Sequence, residues 1–293
     1  MYSHMALVSQ TPKVPGWLTQ IVAAAMQKQL TRDFYPIWGV SATVNAFDIL
    51  NDVPTGYWPI IIRDDIDFPG AAGIHLDANK EPFGLVQFAN TWTLTTSHEV
   101  LEMLIDPLGI HLRAGKSIKP GQGRVQYLVE VCDPSEAAEF GYLVNGVLVS
   151  DFYTPDFFLP TPATNVRYSF TGAISKPRSI LKGGYISWLD PSTDRWWQQT
   201  WFSGSRPKFV SLGRLDADAG SYRTQIDQKT IASRAKPSSL RGLPKKNAMI
   251  IESEKAIAGC NAATRARARA LQSSIDQLVR DAKAARPRPK KAR

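Results

Sequence analysis

Between positions 17 and 31 the sequence WLTQIVAAAMQKQLT brings Leu18, Ile21, Val22, Ala25 and Leu30 near one helical face, which predicts an amphipathic helix opening the fold after Pro15. Residues 40–49 and 57–63 are rich in β-branched and aromatic side chains. With NDVPTG between them they predict strand, turn and strand. Pro69-Gly70 marks a turn, and residues 73–77 and 83–88 flank ANKEP as a hairpin. A helix of about three turns follows, with Thr95, Thr96 and Ser97 as capping candidates and Asp106-Pro107-Leu108-Gly109 as its stop. Beyond it, strand patterns occur at 127–132, 142–149 (with a turn at Asn145-Gly146), 166–170 and 184–188. Pro155, Pro160 and Pro162 mark an irregular stretch.

Large apolar residues thin out after about position 215. The pattern therefore predicts an α+β domain over 1–215, a linker over 216–261, and a basic helix and disordered tail over 262–293. In the late helix Leu271, Ile275, Leu278 and Val279 form one apolar stripe.

Composition supports a globular body, because 43% of the 293 residues are hydrophobic. Cys132 and Cys260 have no metal-module spacing, so neither a disulfide framework nor a cysteine-rich zinc module is expected. The sequence shows no standard export signal and no apolar run long enough to cross a membrane, so a cytoplasmic protein without a membrane partner is expected. The net charge of +9 is unevenly spread: residues 231–293 hold 16 Lys and Arg against 4 Asp and Glu, leaving 19 against 22 for residues 1–230. The basic end is either a solvated extension or an anchor for nucleic acid, an acidic partner, or an oligomer or larger, virion-like assembly. No base-reading motif accompanies it.

The chemistry concentrates at Ser97-His98-Glu99-Val100-Leu101-Glu102. Helical positions i and i+4 lie one above the other, so His98 and Glu102 can face one ion while Glu99 stands beside them. In H-E-x-x-H sites two histidines bind zinc and the glutamate takes a proton from metal-bound water. Here Glu102 replaces the second histidine, which keeps zinc admissible and opens the site to manganese or another divalent cation. A third ligand is expected from Glu130 or Asp133 in Val129-Glu130-Val131-Cys132-Asp133-Pro134, and the sequence leaves these two equal. Glu99 is the expected general base, and His75 or Tyr142 the expected hydrogen-bond donor to an oxyanion.

The run His98-Glu99-x-x-Glu102, Asp106-Pro107 and Glu130-x-x-Asp133 resembles a zincin-like group of bacterial proteins and exordium-like proteins, and more broadly zincin metallopeptidases. Across about residues 30–200, this resemblance implies a mixed sheet with an active-site helix, a zinc-dependent metallopeptidase and a peptide or protein substrate. It also implies a substrate-holding edge strand before the helix, at 83–88. The sequence departs from characterised zincins at Glu102.

Blander expectations stand beside these. His98, Glu99 and Glu102 also fit a solvated helix face, although the apolar Val100, Leu101, Met103, Leu104 and Ile105 argue for burial. Glu130 and Asp133 fit a turn, His75 and Tyr142 fit ordinary structural roles, His111 fits an exposed loop, and the tryptophans fit the core. The rival function is a non-catalytic structural or binding protein, such as a phage-like assembly component, whose basic end makes the contacts. An open cleft at Glu99 favours the hydrolase, and a packed wall there favours the rival.

Overall fold

The computed structural model describes residues 3–230 apart from Pro69, Ala217 and Asp218. The expected basic helix and tail, and the linker beyond 230, lie outside the described residues. The chain divides into the units Met1–Pro244 and Lys245–Arg293, and every described residue belongs to the first.

One mixed sheet is built from β1 (Ser3–Ser9), β2 (Ala42–Phe47), β3 (Tyr57–Arg63), β4 (Gly73–Ala78) and β5 (Glu81–Gln87), in the order β2-β1-β3-β5-β4. Neighbours are parallel except β4, which runs antiparallel to β5 at the edge. Met5, Ala6, Leu7 and Val8 are all fully buried, the continuous apolar run expected of a parallel strand covered on both faces. Helix α1 (Gly16–Lys28) leads from β1 into a π-helical segment (Gln29–Phe34) and the short α2 (Tyr35–Trp38), which ends at Gly39.

A second sheet is antiparallel throughout, in the order β12-β11-β10-β7-β6. Its strands are β6 (Leu112–Lys116), β7 (Arg124–Leu128), β10 (Tyr185–Asp190), β11 (Arg195–Thr200) and β12 (Lys208–Gly213). The hairpin β8 (Tyr142–Val144) and β9 (Val147–Val149) turns at Asn145-Gly146, where both φ angles are positive as a tight two-residue hairpin requires. One hydrophobic core joins Met5, Leu7 and Ile60 of the first sheet to Tyr127 and Trp188 of the second, through Phe34, Phe152 and Phe157. Among the described residues no helix is long and apolar enough to cross a membrane.

Helix α3 (Trp92–Ile105) carries the His98 motif and packs on β5, β4, β3 and β9. Twelve of its fourteen residues are buried, so its polar side chains must find partners inside the protein. It begins before the expected capping groups. The hydroxyls of Thr95 and Thr96 bond back to the carbonyls of Thr91 and Trp92, the four-residue back-bond open to a threonine inside a helix. Ser97 donates to Gln29 (2.7 Å) and accepts from the Ser150 backbone N–H (3.1 Å), while Gln29 Nε2 donates to the Ser150 carbonyl (3.0 Å). The stop is as expected: the Asp106 carboxylate accepts from the N–H groups of Ile110 and His111 (2.9 and 2.8 Å).

Four expectations are corrected. Residues 83–88 lie in an interior strand, because β5 pairs with β3 on one side and β4 on the other, and the edge is β4. Regular pairing near 127–132 ends at Leu128, after which Val129 bonds to His111 and Val131 to Tyr153. Residues 166–170 contribute a single bridge, Tyr153 to Ser169, and no strand. Part of the expected linker is α4 (Tyr222–Thr230), a helix.

Gln29 is buried and binds three elements at once. Replacing it with Leu leaves Ser97 and Ser150 with lost partners, so the urea midpoint should fall by the equivalent of about 1–3 kcal/mol with an unchanged slope. Equilibrium denaturation of the variant beside the native chain checks this.

Candidate metal centre

His98 and Glu102 stand one turn apart on α3, with Nε2 and Oε2 3.2 Å from each other. Asp133 opens a short 3₁₀ turn at Asp133-Pro134-Ser135, and that turn brings its Oδ1 to 3.2 Å from the same His98 Nε2. Ligands about 2.1 Å from one ion in a tetrahedral shell stand roughly 3.4 Å apart, so both separations match ligand-to-ligand spacing as well as hydrogen-bond length. The set of one imidazole and two carboxylates suits zinc, manganese or ferrous iron. All three residues are buried.

Glu130 and Asp133, equal in the sequence, have separate partners here. Asp133 meets His98, whereas the Glu130 carboxylate contacts the guanidinium of Arg223. Arg223 also reaches Glu102 Oε2 through Nη1 (2.5 Å) and donates from Nε to Asp227 Oδ2 (3.1 Å). It belongs to α4, and it is only 3% exposed. Its backbone N–H bonds to the Gly109 carbonyl (3.1 Å), and a Cβ on Gly109 would lie 2.6 Å from Arg223 Cβ, so glycine is what lets α4 close on the end of α3. Sequence reading missed Arg223 and Asp227. Their i, i+4 spacing around the apolar Ile226 was the available signal, hidden by the polar composition of residues 216–230.

Two other expectations change. Glu99, the expected general base, is 2% exposed, and its Oε2 lies 3.2 Å from His75 Nδ1. Edge strand β4 covers it: a Cβ on Gly73 would fall 2.6 Å from Glu99 Oε1. Glu99 therefore faces a packed wall. Tyr142 donates its hydroxyl to Asp33 (3.0 Å) and accepts from Gln29 (3.2 Å), so it is committed to the network behind α3 and does not serve an oxyanion. Burial, reinforced by Asp33, pushes that phenol well above its ordinary pKa.

His75, in contrast, is brought into the cluster, with Nδ1 3.9 Å from Glu102 Oε2. Cys132 lies there too. Its backbone N–H bonds to Glu102 Oε1 (3.2 Å), while burial pushes its thiol well above the usual value and keeps it protonated. His111 is exposed, as expected for a loop histidine, and Trp188 and Trp196 are core residues.

Among the described residues five buried carboxylates, Glu99, Glu102, Glu130, Asp133 and Asp227, surround one permanent cation, Arg223, and two imidazoles. Burial works against a charged His98, but Glu102 and Asp133 outweigh it and hold the imidazole well above its ordinary pKa. Burial likewise opposes a charged Glu102, and His98 and Arg223 overcome it, holding the carboxyl well below the usual range. The field that retains a proton on His98 would equally draw a divalent cation. Set against known proteins, the chain matches no family model, no curated protein and no solved structure.

Because α4 supplies the guanidinium and Ile226, which packs with Leu128, Trp196 and Leu212, a chain ending at 215 should be less stable than one ending at 230. The loss should be at least about 3–5 kcal/mol, the cost of breaking a buried ion pair. Thermal and urea unfolding of the two chains, side by side, measures it, and equal stability would restore the linker assignment.

Proposed function

We propose that this is a divalent-metal-binding protein of zincin-like build, with the ion held at His98 and Glu102 of α3 and a further ligand from the 130–133 segment, Asp133 or Glu130. The observation that carries the reading is the excess of buried carboxylate around His98, since buried charge of one sign is costly until a cation compensates it. The mixed sheet and the HExxE helix packed against it support this reading, while the edge strand is β4 and not the 83–88 strand that the resemblance implied. Bound metal would offset part of the centre's negative charge and join α3 to the 130–133 segment, and so stabilise the folded chain. The purified chain should carry stoichiometric zinc or manganese by elemental analysis, lost in a His98→Ala, Glu102→Ala double variant. No metal in the native chain after incubation with both ions would reject the reading.

Metal-dependent peptide hydrolysis is the second reading, favoured by Glu99 standing beside His98 on α3, close enough for its charge to act on that imidazole. The burial of Glu99 weighs against it and towards a stabilising or binding role for the ion. Under the hydrolase reading, Glu99→Gln lowers turnover of an unfolded protein substrate by about 100-fold or more and leaves the ion in place. A metal-loaded native chain without turnover rejects hydrolysis and leaves metal binding standing.

A further inference from the structure

The turn that delivers Asp133 carries another carboxylate towards His98. A 3₁₀ turn has three residues per revolution, so side chains at i and i+3 lie one above the other. Asp133-Pro134-Ser135 is such a turn, and Glu136 continues it with φ −68° and ψ −19°. His98, Asp133 and Glu136 accordingly offer ligand atoms that all lie within 4.8 Å of one another. Glu102 is 0%, Asp133 1% and His98 6% exposed, while Glu136 is only half-buried, so Glu136 marks the solvent-facing side. The turn is fixed from outside, because the Leu181 N–H bonds to the Pro134 carbonyl (2.8 Å) and a Cβ on Gly184 would fall 2.6 Å from the Asp133 carbonyl oxygen.

A separate feature points to a ligand at this place. Tyr153 is 1% exposed, and its hydroxyl has no hydrogen-bond partner among the described residues. The bond from its backbone N–H to the Val131 carbonyl (2.7 Å) sets it beside the 130–133 segment, and its ring is stacked on Phe157. Burial, reinforced by the charges of Glu102 and Asp133, pushes the phenol well above its ordinary pKa and keeps its proton in place. A buried donor without an acceptor is costly. A divalent ion brings oxygen ligands of its own, water included, and one of these would accept that proton in a hydrogen bond.

We propose that Glu136 is a ligand of the divalent ion, binding it together with His98 and Asp133 on the solvent-facing side of the centre. The proposal rests on the metal-binding reading above and takes Asp133 as the ligand from the 130–133 segment. Glu136 lies outside the H-E-x-x-E motif, and its signal in the sequence is the three-residue spacing from Asp133 across a proline turn. Exchange of the ion runs past this residue: a half-buried carboxylate can turn away into water, whereas moving Glu102 would break its bonds to Cys132 and Arg223.

The test is Mn2+ affinity of the full chain by equilibrium dialysis, with near-ultraviolet circular dichroism to confirm folding. Glu136→Gln should weaken binding by about 10-fold or more, as loss of a group that holds or orients a metal does. Glu139→Gln removes an exposed carboxylate three residues further on, and should change affinity by less than about threefold, the effect of a screened surface charge. A folded Glu136→Gln chain that binds like the native one overturns the proposal, and so does an equal loss in Glu139→Gln. If Glu136→Gln does not fold, Glu136→His decides. With Co2+ bound, a visible spectrum shifted from that of the native chain supports ligation at position 136, and an unchanged spectrum overturns it. A native chain that binds Mn2+ while Glu136 proves irrelevant leaves the metal-binding reading standing. A native chain that binds none overturns both.

Discussion

The carboxylate of Glu102 is the point on which the centre depends. It is fully buried, its Oε1 accepts the Cys132 N–H, and its Oε2 meets His98, Arg223 and, at longer range, His75. Each partner comes from a different part of the chain: the next turn of the helix, the segment leaving β7, helix α4 and edge strand β4. Burying a carboxylate costs several kcal/mol, and only a convergence of donors and cations offsets that. The four segments therefore hold their positions together or not at all.

That convergence also explains how α3 can be buried along nearly its whole length. Its apolar residues supply area against β3, β4 and β5, while its polar residues each have a directed partner. Ser97 is bonded to Gln29 and Ser150, Glu99 to His75, and Glu102 to its cluster. The π-helical segment contributes both Gln29 and Asp33, and Tyr142 joins the two. Such segments often occur where a helix has to adjust its register for a functional site. Here the adjustment supports the back of the helix that carries His98.

Much of this is legible in the sequence alone. Strand β3, hairpins β4–β5 and β8–β9, helix α1 and the helix around His98 follow from local periodicity and turn chemistry, which depend on near neighbours only. So did His98, Glu102 and the acidic pair, because helical spacing and turn residues limit where they can point. The remainder depends on pairing across long sequence separations. Neither the interior place of β5 nor the edge place of β4 is written in either strand, and the choice between Glu130 and Asp133 required knowing where Arg223 docks. Helix α4 was hidden because its few apolar residues suffice when its buried polar ones, Arg223 and Asp227, find partners on other elements.

The glutamate at 102 is the point at which the sequence departs from H-E-x-x-H, and the position of α4 gives that departure a physical reason. An imidazole that gives one nitrogen to an ion has only an N–H on the other, and two N–H groups facing each other cannot bond. A histidine at 102 would therefore set donor against donor where Arg223 now stands. A carboxylate has lone pairs on both oxygens, so Glu102 can accept from Cys132 and Arg223 while still facing His98. The exchange of imidazole for carboxylate and the docking of a guanidinium thus require each other. Neither is readable as a defect of the motif by itself, because the charge that Glu102 adds to the interior is the charge that Arg223 compensates.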